Sequence, residues 1–433
     1  MSTLALIVGF LLFMAIGVPV AISLAGASLI YVIIEGVQPH LVVLHRMIGG
    51  TDSFPLLAIP FFIMAGSLMN SGGITTRIFA FALGLVGWMR GGLGHVNIVA
   101  SVIFAGMSGT AVADAGGLGS IEIKAMKDNG YDLDFSVGIT GASSTIGPII
   151  PPSLPMVIYG VMANTSVGKL FAAGFIPGLV MAGTLMIMVS WYAHVKGYRR
   201  DARFSLRILW STLKEAFLPL MTPVLLIGGM TTGIFTPTEA AIAATVYAMI
   251  LGMFVYRTLS LRSFIRVSME TAETTAIILL IVAGASIFGY LITTTKITDN
   301  VAGVVLGITD KPWIILLLVN LFLLLVGCFM ETIASITILV PVLMPLMDKI
   351  GVDPVHFGVV MVLNLMIGLL TPPVGMVLYI LARVANISFR PGGQHLFRAH
   401  NPSVRSFSHP PPDHPGHLHL LAANGPLPAE SFL

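Results

Sequence analysis

Ser143-Ser-Thr-Ile-Gly-Pro-Ile-Ile-Pro-Pro-Ser153 lies inside a charge-free apolar stretch, residues 135–168. About 20 apolar residues suffice to cross a bilayer, so the stretch is long enough, yet it cannot cross as one helix. Pro148, Pro151 and Pro152 each lack a backbone donor and break an α-helix. The carbonyls freed by the break need partners. At membrane depth, non-helical backbone survives only within protein or facing a cavity. A small hard cation such as Na⁺ is a natural partner for carbonyl and hydroxyl oxygens. The stretch therefore predicts a helical membrane protein with a polar break in its interior.

The composition agrees. The chain has 433 residues, 56% of them hydrophobic, with a mean hydropathy of +0.95. It carries 22 basic and 19 acidic residues, where a soluble chain at about 25% charged would carry roughly 108. That excludes a soluble multi-domain enzyme as well as disordered and disulfide-rich classes. The lone cysteine, Cys328, has no internal disulfide partner. No basic stripe interleaved with aromatics points to nucleic acid. Residues 1–34 hold no charge, hence no basic n-region, and read as a retained membrane segment rather than a signal peptide.

Charge-free stretches at 1–34, 54–76, 91–113, 135–168, 170–193, 216–237, 240–256, 274–295, 313–330, 332–347 and 357–382 are the candidate spans. By apolar content the chain has material for about ten to twelve crossings. Residues 78–89, between Arg77 and Arg90, are short and predict an interfacial segment. The loop 196–207 holds five basic residues against Asp201, and the loop 257–266 holds Arg257, Arg262 and Arg266. The positive-inside rule places both in the cytoplasm, and the two spans between them make the assignments agree.

Working outward, the break recurs. At an offset of 221 residues Gly106 meets Gly327, Ala113 meets Ala334, Met126 meets Met347, and Gly130 meets Gly351. At the same offset Asp132 meets Asp353, Ile146 meets Ile367, Gly147 meets Gly368, and Pro151-Pro152 meets Pro372-Pro373. Each half carries a glycine-rich or polar interruption (Gly106-Met-Ser-Gly-Thr-Ala-Val-Ala-Asp114; Gly327-Cys-Phe-Met-Glu-Thr-Ile-Ala-Ser335) and, about 40 residues on, a Pro-Pro break. Paired interruptions in two halves point to a transporter binding site at the repeat interface. The competing reading is proline kinks and close-packing glycines, both common in membrane helices.

Asp114, Glu239 and Glu331 fall in or beside apolar segments, where carboxylates are expensive and usually functional. Asp114 and Glu331 flank turns and are open to three roles: coupling-ion ligand, gate or turn cap. Glu239 follows Pro237 at a helix start, where capping is the simpler role. Ser166 either caps the next helix or bonds a substrate. Ser143, Ser144 and Ser153 bracket the first break and are further candidate substrate or transport groups. Gly106-Met-Ser-Gly109 matches the Gly-x-Ser-Gly of rhomboid-type intramembrane serine proteases, but no histidine base stands beside the serine in sequence. No phosphate loop suggests ATP as an energy source. A passive channel is the remaining alternative; it would favour a continuous polar lining over paired breaks.

Taken together, Gly-Met-Ser-Gly-Thr-Ala-Val-Ala-Asp (106–114), Gly-Tyr-Asp (130–132), Ile-Gly-Pro-Ile-Ile-Pro-Pro-Ser (146–153), Phe-Thr-Pro-Thr-Glu-Ala (235–240) and Gly-Leu-Leu-Thr-Pro-Pro-Val-Gly (368–375) resemble the large membrane subunit of tripartite ATP-independent periplasmic (TRAP) transporters. The resemblance covers residues 1–389. It implies an all-α, polytopic inner-membrane protein with an inverted repeat, two re-entrant hairpins and two broken helices. It also implies an elevator-type carrier that is not an enzyme and needs no cofactor beyond sodium as coupling ion. The implied partners are a small four-helix membrane subunit, a periplasmic substrate-binding protein and an organic-anion substrate, C4-dicarboxylate by default, with sialic acid, other sugar acids and keto acids open. Carried over by motif, one Na⁺ site comprises Ser108, Thr110, Gly147, Ile150 and Pro152. The second comprises Thr332, Gly368, Thr371 and Pro373. Asp114, Ser166 and Glu239 are the implied polar groups of transport.

The repeat divides the chain into residues 1–215 and 216–389, followed by a tail. Residues 390–433 hold eight of the 26 prolines and six of the 11 histidines and read as disordered. The resemblance implies one more membrane helix here. The expectation is a shifted reading frame or a sequence error near the codons for Phe389 and Arg390, with a natural variant tail as the alternative. Translating the other two frames of the encoding DNA past that point should reveal an apolar span; its absence from both would leave a natural variant tail.

Overall fold

The computed structural model describes residues 2–389 apart from 37, 296, 298–302, 304, 308 and 310, together with residues 397–399. The sequence expectation of a disordered tail otherwise lies outside the described residues. The first apolar stretch is divided at Gly17-Val18-Pro19 into α1 (Ser2–Ala15) and α2 (Val20–Glu35). Then come α3 (Leu41–Thr51), α4 (Ala58–Ser71) and α5 (Ile74–Val86). The expected interfacial segment belongs mostly to α5, which buries one face through Ile78 and Ala82 and leaves Leu85 and then Trp88 exposed.

The first interruption is a hairpin. Its first arm is α6 (Gly92–Ser108). The second arm is a single turn, α7 (Ala111–Ala113), a π turn (Asp114–Leu118) and α8 (Gly119–Asp128). Next, α9 (Leu133–Ser144) and α10 (Leu154–Met162) are the two pieces of the helix broken by the prolines. Long helices follow: α11 (Val167–Lys196), α12 (Leu206–Thr231), α13 (Pro237–Ile250, continued by a π turn, Leu251–Val255) and α14 (Leu261–Thr294). The second hairpin is α15 (Pro312–Gly327) and α16 (Thr332–Lys349), and the second broken helix is α17 (Pro354–Gly368) and α18 (Met376–Val384). A two-stranded antiparallel ribbon, β1 (Ile387–Phe389) with β2 (Phe397–Ala399), closes the described chain.

Among the described residues, six helices are long and apolar enough to cross a membrane: Phe54–Ser71, Val167–Lys196, Leu206–Thr231, Pro237–Val255, Leu261–Thr294 and Thr332–Lys349. The expected span count was larger because several charge-free stretches are hairpin arms or half-helices. Isoleucine, leucine and tryptophan side chains such as Ile176, Ile187, Trp191 and Ile208 are exposed on the outer helices, as a lipid-facing surface requires.

The first hairpin enters and leaves on one side, beside the basic loop. Gly91 N donates to Arg199 O at its start. The one acid of that loop, Asp201, accepts from Leu93 N at 2.9 Å and from Tyr131 Oη at 2.5 Å, so it fastens both ends of the hairpin. Burial and then Asp201 raise the Tyr131 phenol, which keeps it a donor. Tyr131, Phe135, Tyr192 and Tyr198 stack around this base, with Tyr131 and Tyr198 centroids 4.4 Å apart.

The 221-residue offset reappears in the elements. The second arm of the first hairpin, residues 111–128, matches α16 at both ends. Asp132 and Asp353 both stand at the N-cap of the following helix. Thr110 and Glu331 both cap the arm that follows the tip. The helix after each break is held by the other half: α10 packs on α16 and α17, while α18 packs on α9 and the π turn. Tyr159 of α10 donates to Pro354 O at 2.7 Å. The start of α17 therefore lies beside α10, whereas the start of α9 lies at the basic loop. The two halves run oppositely, as in an inverted repeat.

Asp201→Ala should lower the thermal midpoint of the detergent-purified protein, with a loss of about 1–3 kcal/mol from two unsatisfied donors. Asp132→Ala, by contrast, should leave it nearly unchanged. Its 3.1 Å ion pair with Lys196 is half exposed and screened by solvent. The Lys196 ammonium holds the Asp132 carboxyl below its ordinary range, so what stability the pair adds is complete above that range and is lost as pH falls from there through the lowered value.

Candidate functional site

Each hairpin tip rests on one proline break. At the first, Leu154 N donates to Gly109 O at 3.3 Å. Gly109 has φ +62°, and a Cβ there would lie 2.5 Å from Pro152 O, so both the turn and the close approach require glycine. A Cβ on Gly147 would lie 3.7 Å from Thr110 O. At the second, Gly375 N donates to Cys328 O at 3.3 Å. A Cβ on Gly368 would lie 2.6 Å from Gly327 Cα. Leu154 and Gly375 are themselves 221 residues apart, while their acceptors Gly109 and Cys328 are 219 apart, so equivalent donors reach the two tips two positions out of register. Both Pro-Pro bonds, 151–152 and 372–373, are cis.

The structure thus brings Ser108, Thr110, Gly147 and Pro152 together where the first tip meets the first break. Ile150 shares this turn and packs its side chain on Gly178 of α11. At the second junction Gly368 lies against Gly327 and Thr371 Oγ1 donates to Ile367 O, while Thr332 begins the arm that follows the tip. The junctions differ in exposure: residues 147–153 are buried throughout, whereas Thr371, Pro372 and Pro373 are exposed. Ser108 Oγ and Thr332 Oγ1 are buried and have no hydrogen-bond partner. A buried hydroxyl without a partner costs about 1–3 kcal/mol. An unpartnered hydroxyl oxygen flanks each tip, and oxygen is the donor type that suits a hard cation.

The other predicted groups have defined partners. Ser143 Oγ donates to Asn97 Oδ1 at 2.5 Å and Ser144 Oγ to Gly141 O at 2.8 Å. Ser153 donates to Pro148 O and caps α10 by accepting from Met156 N. Ser166 caps α11. Glu239 is exposed and forms a capping box with Thr236: its carboxylate accepts from Thr236 N and Oγ1, both at 2.8 Å. Glu331 caps α16, accepting from Ile333 N and Ala334 N. Asp114 caps nothing; both its carboxylate oxygens are buried without a hydrogen-bond partner. Ser166 and the turn before Glu239 line one cavity of about 520 Å³, together with Ser53, Asn164 and Thr238. His95 lies far along α6 from Ser108 and meets Ser190 at 3.2 Å through Nε2, so Ser108 has no histidine base from that residue.

Sequence reasoning missed the buried amides. Asn97 on the first hairpin holds Thr140 and Ser143 of α9; Asn364 of α17 donates to Asn320 of the second hairpin at 2.5 Å. Ser143 and Asn364 stand 221 residues apart, which was the available signal. Glu122 was missed too, because Lys124 and Lys127 beside it make α8 look solvated.

Paired hairpins seated on paired broken helices, in an apolar helical body, define a polytopic secondary carrier. Residues 7–396 match the family described as "Tripartite ATP-independent periplasmic transporter, DctM component". The chain is 50% identical over 383 residues to the sialic acid TRAP transporter large permease protein SiaM of Vibrio cholerae, covering 88% of this chain and 90% of that one. It is 46% identical to the sialic acid TRAP transporter permease protein SiaT of Haemophilus influenzae, over 88% of this chain and 62% of that one. It is 40% identical to the C4-dicarboxylate TRAP transporter large permease protein DctM of Pseudomonas aeruginosa, over 79% of this chain and 80% of that one. The solved YdaH transporter of Alcanivorax borkumensis shares the fold, with a TM-score of 0.58 at 13% identity, over 79% of this chain and 80% of that one. The chain belongs to the DctM family of TRAP transporter large permeases and is a multi-pass protein of the bacterial inner membrane.

Gly368→Ala should force the second tip off its break, at about 1–3 kcal/mol for overpacking against backbone. Gly147→Ala, whose nearest neighbour would be Ser144 O at 3.4 Å, should keep the wild-type thermal midpoint. Equal midpoints for the two variants would contradict the close seating of the second tip.

Proposed function

We propose that this chain carries an organic acid inward by sodium-coupled, elevator-type movement. A periplasmic binding protein delivers the substrate, and a small membrane subunit braces the outer helices. The observation that carries this reading is the pair of unpartnered buried hydroxyls, Ser108 and Thr332, one flanking each tip. The first site uses Ser108 and Thr110 with backbone oxygens of Gly147, Ile150 and Pro152; the second uses Thr332 with Gly368, Thr371 and Pro373. The hairpins and broken helices form the moving part. The scaffold is built on the crossing pairs α4 with α13 and α2 with α14.

Sialic acid is the first substrate to test, since the relatives at 50% and 46% identity are named for it. C4-dicarboxylate is the comparison, named for a relative at 40%. The carboxylate sits between the tips, where helix N-termini supply partial positive charge. Asp114, Ser166, Glu239 and Glu331 support transport from outside the ion sites, as do Ser143, Ser144 and Ser153.

In proteoliposomes holding both membrane subunits, with loaded binding protein outside, an inward Na⁺ gradient should drive labelled sialic acid uphill. Ser108→Ala and Thr332→Ala should each reduce this uptake about tenfold at limiting Na⁺, the loss of one oxygen ligand being worth about 1.4 kcal/mol. Uptake that ignores the Na⁺ gradient would refute the coupling. Equal flux in both directions without binding protein would instead favour a passive channel.

A further inference from the structure

Asp114 and Glu122 lie eight residues apart on the second arm of the first hairpin, Asp114 one turn after the tip, where its N–H donates to Thr110 O at 3.2 Å, and Glu122 two turns further on. In an unbroken α-helix that spacing would set them about 80° apart around the axis. The π turn Asp114–Leu118 lies between them. A π bulge absorbs one extra residue, so the spacing behaves as seven positions, two turns apart and on one face. The two residues are 1% and 2% exposed, and none of their four carboxylate oxygens has a hydrogen-bond partner. Glu122 lies within the field of Asp114. From the facing arm α6, Ser101, itself 1% exposed, directs Oγ at Asp114 without reaching a hydrogen bond of normal geometry.

Among the described residues, no charged side chain of the surrounding elements hydrogen-bonds either carboxylate. On α6, His95 turns to Ser190. Before and on α9, Asp132 pairs with Lys196, and Asp134 is acidic as well. On α8, Lys124, Lys127 and Asp128 are exposed, and on α18 Arg383 is exposed. On α4, Asn70 lies against Gly117 and accepts from Thr75. None of them hydrogen-bonds either carboxylate. Two buried, unpaired carboxylates cannot both stay ionised alone, because each would carry a desolvation penalty of several kcal/mol. One positive charge between them removes most of it, and the donors offered are all oxygen.

We propose that Asp114, Glu122 and Ser101 form a monovalent-cation site inside the first hairpin, separate from the tip-break junctions, which holds one proton or one alkali ion. The site stands whether or not the tips bind sodium.

The test uses the purified full chain in nanodiscs, read by thermal midpoint and by infrared spectra of its carboxyl groups. The wild type should gain about 2 °C or more either on acidification from pH 8 to pH 6 without Na⁺, or on exchange of choline for NaCl at pH 8. The part of the acid response that Glu122→Gln removes identifies a proton, and the part of the NaCl response that it removes identifies an alkali ion, whatever share the tips contribute. Asp132→Ala, at the half-exposed base of the hairpin, should keep both responses at their wild-type size. A proton predicts a protonated-carboxyl band in the Na⁺-free wild type that Glu122→Gln lacks; an alkali ion predicts a Na⁺-dependent shift of the carboxylate bands. Should Glu122→Gln fail to fold, Asp114→Asn and the wild-type spectra decide. A wild type with neither band feature, or a folded Glu122→Gln with both wild-type responses, overturns the proposal.

Discussion

Two backbone hydrogen bonds, Leu154 N to Gly109 O and Gly375 N to Cys328 O, express the constraint on which this architecture depends. Within a bilayer no water satisfies a freed peptide group. A chain that breaks two helices with proline must find partners for the exposed groups in other parts of itself. Here the hairpin tips supply them, and the tips have open backbone of their own. Breaks and tips therefore come in matched pairs: each satisfies part of what the other exposes. The glycines at these junctions follow from the same demand, since Gly109 and Gly368 stand where a Cβ would meet backbone rather than a movable side chain.

The hairpins must also be held at their bases, where they have no partner break. Asp201 does this for the first by accepting from both of its ends. It is the only acid in a strongly basic loop, so its carboxylate reads as an outlier until its two donors are seen. The helix after each break is gripped by the opposite half, α10 by α16 and α17, α18 by α9 and the π turn. Each post-break helix thus completes its packing on the opposite half. On the proposed reading, the moving and fixed parts are therefore not the two halves of the sequence.

What could be read beforehand follows from what proline and charge impose locally. Pro148, Pro151 and Pro152 forbid a continuous helix wherever they stand, so the break and its copy at 372–373 were legible. Lys and Arg clusters mark loops for the same kind of reason. Side-chain partners were less legible, because a hydroxyl or carboxylate near a break has several uses. Glu239 and Glu331 spend their carboxylates on helix starts, and Ser153 and Ser166 do likewise. Glu122 was hidden for the opposite reason: its burial depends on the register set by a π turn, and no residue type in Asp114-Ala-Gly-Gly-Leu118 announces that turn.

The helix ends sort the centre by sign. Four helices finish there, α6, α9, α15 and α17, and present carbonyl ends with partial negative charge; α10, α16 and α18 begin there and present amide ends with partial positive charge. The carbonyl ends suit cations, and the unpartnered Ser108 and Thr332 hydroxyls stand among them. The amide ends are not equivalent. The Glu331 carboxylate already fills the start of α16, and Ser153 caps α10, but Gly375 gives α18 no side-chain cap. That uncapped start adjoins the second break, whose Thr371, Pro372 and Pro373 are exposed while the first break is buried. On the proposed reading, a carboxylate arriving at the centre therefore meets its least occupied amide end at the second junction, and the first junction is the better sealed place for an ion.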